Sequence, residues 1–197
     1  TSIIVGNFNY TSGAVDFGTS TIIFSGNYAN HTIAANGINF NNVTFAGSQS
    51  TTTLSTNINI LGTVIFSESW SGAVNGYTIN AYGNVSTTGN GNAGTTNLVI
   101  LGNNNTSLTC SGISYFPGSM LTIQKDPGVT VNLTTNCSYN RSGQNLTVAS
   151  GELNLSGYSL TVNNNLTVNV GATLTASGGT YSPSSGAKFS CLGTCNP

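Results

Sequence analysis

Between Asn145 and Val168 the chain reads "NLTVASGELNLSGYSLTVNNNLTV". It holds four apolar–polar–apolar triplets: Leu146–Val148, Leu153–Leu155, Leu160–Val162 and Leu166–Val168, which begin 7, 7 and 6 residues apart. Alternation is the period of a strand, so the outer two residues of each triplet face one way and the middle one faces the other. A strand of three residues has too little surface to be stable alone. It needs copies of itself above and below. Three seven-residue sides make a closed turn of 21 residues, the arithmetic of a triangular β-solenoid.

The same interval governs the first third of the chain. "IIFSG", "VTFAG" and "VIFSE" place Phe24, Phe45 and Phe66 at steps of 21. Ile33 maps onto Leu54 at the same step, and Ile38 and Phe40 map onto Ile58 and Ile60 at a step of 20. Gly26 maps to Gly47, Asn36 to Asn57 and Asn41 to Gly62. Gly and Asn accept left-handed backbone angles at sharp corners. Strand-like and corner-like positions therefore recur together, with like side chains about 4.8 Å apart in successive turns. No window carries the i, i+3, i+4, i+7 pattern of a helix.

From Trp70 to Ser142 the spacing loosens, with strands expected at Tyr77–Ile79, Leu98–Leu101, Leu108–Cys110, Leu121–Ile123 and Val129–Leu133. "STTGNGNAGTT" (Ser86–Thr96) reads as a projecting loop and "KDPGV" (Lys125–Val129) as a turn. The expectation is one all-β domain over residues 1–197, a parallel β-helix with irregular insertions within 70–142. An antiparallel β-sandwich of jelly-roll type is the alternative, since it also yields short alternating strands.

The segment Asn145–Gly179, with "LNLSGYSLTVNNNLTVNVGATLTASGG", resembles the right-handed parallel β-helix repeats of extracellular adhesins and surface fibres. The resemblance implies architecture and location, and no activity. The Asn/Ser/Thr-rich, charge-poor composition is also similar to that of archaeal secreted filament and pilus subunits.

Charge separates the function classes. Charged residues make up 4 % of the chain, against about 25 % in ordinary soluble domains. No basic patch is available to neutralise phosphates, which argues against nucleic acid as a partner. A net charge of −1 leaves little repulsion between copies. Asp16, Glu68, Asp126 and Glu152 are dispersed along the sequence, whereas sugar-cleaving β-helices need paired carboxylates. Asp126 reads as an exposed partner of Lys125, Glu68 and Glu152 as solvated corner residues, and His31 as a surface or corner histidine. No nucleophile elbow, metal-protease helix or phosphate loop occurs. The expectation is a protein that is not an enzyme and has no cofactor or catalytic or metal site. Thr19–Thr21, Thr51–Thr53 and Thr173–Thr175 do not form one column, so an ice-binding face is not expected. Trp70, Tyr77, Tyr82, Tyr115 and Tyr158 are candidates for stacking on sugar rings, although aromatics in a solenoid more often pack.

Cys110, Cys137, Cys191 and Cys195 allow three pairings. Cys110–Cys137 and Cys191–Cys195 are favoured, and four buried free thiols are the alternative. Twelve Asn-x-Ser/Thr sequons occur, at Asn9, Asn30, Asn42, Asn84, Asn104, Asn105, Asn132, Asn136, Asn140, Asn145, Asn154 and Asn165. With this much Asn, Ser and Thr, chance gives about eight, and a sequon is only an acceptor. Glycans on some of them would supply solvation that charge does not.

No apolar run approaches a membrane span. The first residue, Thr1, reads as the start of a mature chain from which a leader was removed. A solenoid has two open strand edges, and no amphipathic capping helix is visible. The functional expectation is an extracellular or cell-surface filament subunit whose partners are copies of itself. Assembly would be end to end or by donation of an N-terminal strand containing Thr1, Ser2, Ile3, Ile4 and Val5. The alternative is an adhesin or tail-fibre-like module that binds surface glycans and does not polymerise.

Overall fold

The computed structural model describes residues 2–25, 30–46, 51–67, 71–74, 76–89, 96–111, 120–139 and 143–197. It is a parallel β-solenoid, and every strand pairing in it is parallel. Each coil visits three sides in turn. The long side is a ten-stranded sheet running from Ser2–Val5 through Thr21–Phe24, Asn42–Phe45 and Val64–Phe66 to Thr173–Thr175 and Thr194–Asn196. The split side holds a four-stranded sheet, Phe8–Asn9 to Ser71–Val74, and a three-stranded one, Cys137–Tyr139 to Thr180–Pro183. The third side is an eight-stranded sheet from Asn39–Phe40 to Phe189–Cys191.

The triplets define the sides. Leu146 and Val148 belong to the third side, Leu153 to the long side, and Leu160 and Val162 to the split side. Leu166 then returns to the third side, directly over Leu146. All of these apolar residues are buried, and the polar residue between each pair faces out.

The long-side register measures the coil. Thr21 pairs with Asn42, Val43 with Val64 and Val64 with Val85, each a step of 21. The step then widens: Val85 pairs with Leu108 and Thr106 with Val131. Regular spacing resumes at Glu152 to Thr173 and Thr173 to Thr194. Phe24, Phe45 and Phe66 form a buried ladder. Their rings stack 5.8 and 5.1 Å apart at interplanar angles of 19° and 7°. Each ring adds about 1.5–3 kcal/mol of apolar burial, and each stacked pair about 0.5–1.5 kcal/mol more. The ladder ends at Thr87, which follows Phe66 in the column.

Corners are where chain composition matters most. Asn36 takes φ 47° and Gly37 φ 90°. At Gly83 a Cβ would lie 2.3 Å from the Gly62 carbonyl oxygen, so the backbones of successive corners touch and only glycine fits.

The KDPGV stretch turns at Pro127–Gly128, with Gly128 at φ 78°. The loop expected from Ser86 starts later, because Ser86 and Thr87 belong to the strand Val85–Thr87 and Thr96 is buried. The rest of that loop, residues 90–95, lies outside the described residues.

Candidate functional site

Asparagine does a repeated structural job at the corners. The Asn7 side-chain carbonyl accepts the Thr32 N–H, Asn42 accepts Thr63, and Asn57 accepts Thr78, at 2.8–2.9 Å. Asn84 accepts the Ser107 N–H, Asn105 that of Thr130 and Asn136 that of Ser159, again at 2.8–2.9 Å. Each bond crosses to the next coil and satisfies a backbone donor where the ladder breaks at a corner.

Four of these asparagines, Asn42, Asn84, Asn105 and Asn136, are also sequon positions. Asn30, Asn42, Asn84, Asn105, Asn132, Asn136, Asn145, Asn154 and Asn165 are each followed by a buried residue and then by an outward Ser or Thr. Asn at or near a corner, an inward residue and an outward hydroxyl are what most of these coils require on entering a strand. The sequon thus doubles as a building module, which raises its count above chance without any glycan. The arrangement still leaves the amide nitrogens of Asn84, Asn105 and Asn136 on exposed residues, with the carbonyl oxygen anchored. Asn9 is exposed on its two-residue strand. Asn104 is exposed, but the Thr106 of its sequon is buried. Asn140 lies outside the described residues.

The structure joins Cys110 to Cys137 and Cys191 to Cys195. The first bridge is buried in the core and links the long side to the split side. It falls where the coil has widened, and Thr135 Oγ1 accepts the Cys110 N–H beside it at 2.7 Å. The second crosses the corner of the last coil.

Two polar residues sit where the sequence did not place them. Lys125 is 1 % exposed, not an exposed ion-pair member. It follows Leu121 and Ile123 at the same parity, so it points inward. Its ammonium donates to the Leu101 carbonyl at 2.8 Å and lies 3.5 Å from that of Tyr82, in the two coils below. Burial pulls the Lys125 pKa down to about 8, with Asp126 opposing. The corner above it requires Gly151, which has φ 71° and where a Cβ would meet Lys125 Cβ at 2.5 Å. His31 is likewise buried, not a surface histidine, and its Nε2 has no partner among the described residues. It stands two residues before Ile33, on the same inward parity.

The acidic residues accept local hydrogen bonds: Asp16 from the Gly18 N–H at 2.8 Å, and Glu152 from Thr130 Oγ1 at 3.2 Å. Asp126 is exposed. Glu68, Arg141, Trp70 and Tyr115 lie outside the described residues. Among the described residues no three His, Cys, Asp or Glu side chains stand close enough to hold a metal ion. Among the described residues no helix is long and apolar enough to cross a membrane.

An apolar surface lies open at the tail. The core opens there into a cavity of about 290 Å³ lined by Leu155, Leu174, Ala176, Tyr181, Phe189 and Cys195, among others. Phe189 is 46 % exposed. Its ring lies 5.3 Å from that of Tyr181, whose hydroxyl is buried without a partner among the described residues. At the head, Ser2–Val5 pairs in parallel with Thr21–Phe24, and Thr1 lies outside the described residues. Half-buried Phe8 and Phe17 pack on Phe40. No protein-family model, curated protein or solved structure matches the chain.

Proposed function

We propose that the chain is a structural subunit of an extracellular or cell-surface fibre, joining copies of itself end to end. The observation that carries this reading is the apolar opening of the last coil, on a body with almost no charge to keep copies apart. An open solenoid end is an unpaired strand edge over an exposed core. A coil of the same shape fits it, and a head-to-tail contact that does not close on itself propagates into a filament. Either stacking of coils or exchange of the N-terminal strand would make the joint. Two disulfides suit an oxidising compartment. Glycans on exposed corner asparagines would solvate the finished fibre.

The test is size-exclusion chromatography with light scattering over a wide concentration series. Species that lengthen with concentration are expected. A monomer at every concentration rules the fibre out. The second reading, a glycan-binding adhesin that does not polymerise, is supported by the outward column Thr122, Thr147, Thr167 and Ser190 on the third side and by exposed Tyr158. Monomers that bind on a glycan array would favour it.

A further inference from the structure

The fold brings one sequon and one candidate sugar-stacking aromatic to the same corner. Asn136 is exposed between Thr130–Leu133 on the long side and Cys137–Tyr139 on the split side. One coil on, that corner carries Tyr158, between Glu152–Asn154 and Ser159–Val162, and Tyr158 is 38 % exposed. Cys137 pairs with Leu160. Ser159, the residue after Tyr158, gives its N–H to Asn136 Oδ1 at 2.8 Å. Asn136 and Tyr158 therefore stand on adjacent coils of one edge.

The bond to Ser159 orients the Asn136 amide. A backbone N–H only donates, so the atom facing it is the carbonyl oxygen. The nitrogen Nδ2 is left on the other branch, with no hydrogen bond to the described residues. Other sequon asparagines differ. At Asn42 the nitrogen bonds the Thr19 carbonyl at 3.3 Å while the oxygen takes the Thr63 N–H. At Asn145 the nitrogen bonds the Gly143 carbonyl at 3.3 Å and the oxygen takes two donors. Asn84 and Asn105 are held by the oxygen, as Asn136 is. The tyrosine at their corner is already packed, since a Cβ on Gly102 would lie 3.1 Å from Tyr82 Cδ1.

We propose that Asn136 is an N-glycan attachment site and that the first sugar lies against the Tyr158 ring. This rests on the extracellular part of the reading above and not on polymerisation. The sequon is Asn136-Cys137-Ser138, in a strand where Cys137 and Tyr139 are buried and Ser138 faces out. The donor is a lipid-phosphate-linked oligosaccharide. Nδ2 bonds to its anomeric carbon, the bond from that carbon to the phosphate oxygen breaks, the phosphate leaves with the electron pair, and Nδ2 loses one proton. The amide carbonyl survives the step, so the bond to Ser159 is kept.

The ring is open to such a partner. Tyr158 stacks on no other ring among the described residues. Its corner is turned by Ser156 and Gly157, at φ 52° and 84°, and one coil on by Ser177 and Gly178, at φ 48° and 78°. Neither pair has a side chain larger than serine, which leaves room for the apolar face of a pyranose beside the phenol ring. Tyr158 then serves the chain's own glycan and not a foreign one.

The test uses the full chain secreted from a eukaryotic cell line, where the first sugar is N-acetylglucosamine. Peptide mapping by mass spectrometry should find Asn136 occupied, and Ser138→Ala should lose one glycan while keeping the bond to Ser159. Tyr158→Leu should raise the unfolding constant about threefold in the glycosylated chain and leave it nearly unchanged in the Ser138→Ala background, a coupling that a bare tyrosine does not give. Proton signals of the first sugar should be shifted upfield by the ring and lose that shift in Tyr158→Leu. A bare Asn136 overturns the attachment site. An equal effect of Tyr158→Leu in both backgrounds overturns the stacking. Neither result touches the fibre reading, which chromatography decides, and a monomer with this glycan seated on Tyr158 overturns the fibre while keeping the site.

Discussion

The coils from Thr21 to Phe66 and those from Val85 to Leu133 solve the same packing problem differently. In the first group the step is constant, and a stacked phenylalanine column fills the core. In the second, the step widens to 23 and 25. The column changes from Phe66 to Thr87 and then Cys110, and the hydroxyls of buried Thr87, Thr96 and Thr106 find no partner among the described residues. The widened coils are held by devices that occur once each among the described residues: a buried disulfide, a buried lysine on two carbonyls, and Thr135 against Cys110. Repetition makes every coil a template for the next. Where the repeat is broken, individual residues must replace what neighbours supplied.

Phe45→Ala should have the largest effect, about 3–5 kcal/mol, since it removes a ring stacked on both faces. Solenoid coils contact only their neighbours. Hydrogen exchange should therefore accelerate around Asn42–Phe66 and stay unchanged at Asn145–Thr175. Uniform acceleration would show that the two regions are not separable. Next is the covalent device. Cys110→Ser/Cys137→Ser should cost about 3–4 kcal/mol, and Cys191→Ser/Cys195→Ser about 2 kcal/mol, by the loop lengths closed. Chemical denaturation of the two variants compares them, and equal losses would deny the widened coils their special dependence on the bridge.

Lys125 sharpens the contrast through pH. Its folded pKa is about 8, below the roughly 10.4 of an unfolded lysine. Between those values the unfolded chain binds a proton that the folded chain does not, so stability should rise with pH. A gain of about 1–2 kcal/mol is expected after allowance for solvent screening. Lys125→Met should flatten this rise, and a parallel profile for the variant would deny Lys125 that role. The smallest effect belongs to the corners. Asn57→Ala and Asn84→Ala each remove one cross-coil acceptor, at about 1 kcal/mol. Similar losses are expected, because this device is shared by both regions.

Much of this was legible in the residues. The Leu-Thr-Val triplets and the spacing of Phe24, Phe45 and Phe66 carry coil length, facing and parallel stacking at once. For Lys125 and His31 residue type points outward and strand parity points inward, and parity decides. Both stand two residues from an inward isoleucine, the one available signal. The corner role of asparagine was hidden for another reason. A cross-coil hydrogen bond between Asn84 and Ser107 depends on a step of 23, which only the folded register supplies. The tail opening depends on which side the last strand occupies, and that follows from counting coils through the widened region.

The most direct measurement of the end-to-end joint is the axial repeat of the fibre by electron cryomicroscopy. Nine to ten strand steps per subunit give a repeat of about 43–48 Å, with the 4.8 Å spacing along the axis. That is the result expected when copies stack coil on coil. Discrete particles, or a 4.8 Å spacing across the axis, would contradict end-to-end assembly itself.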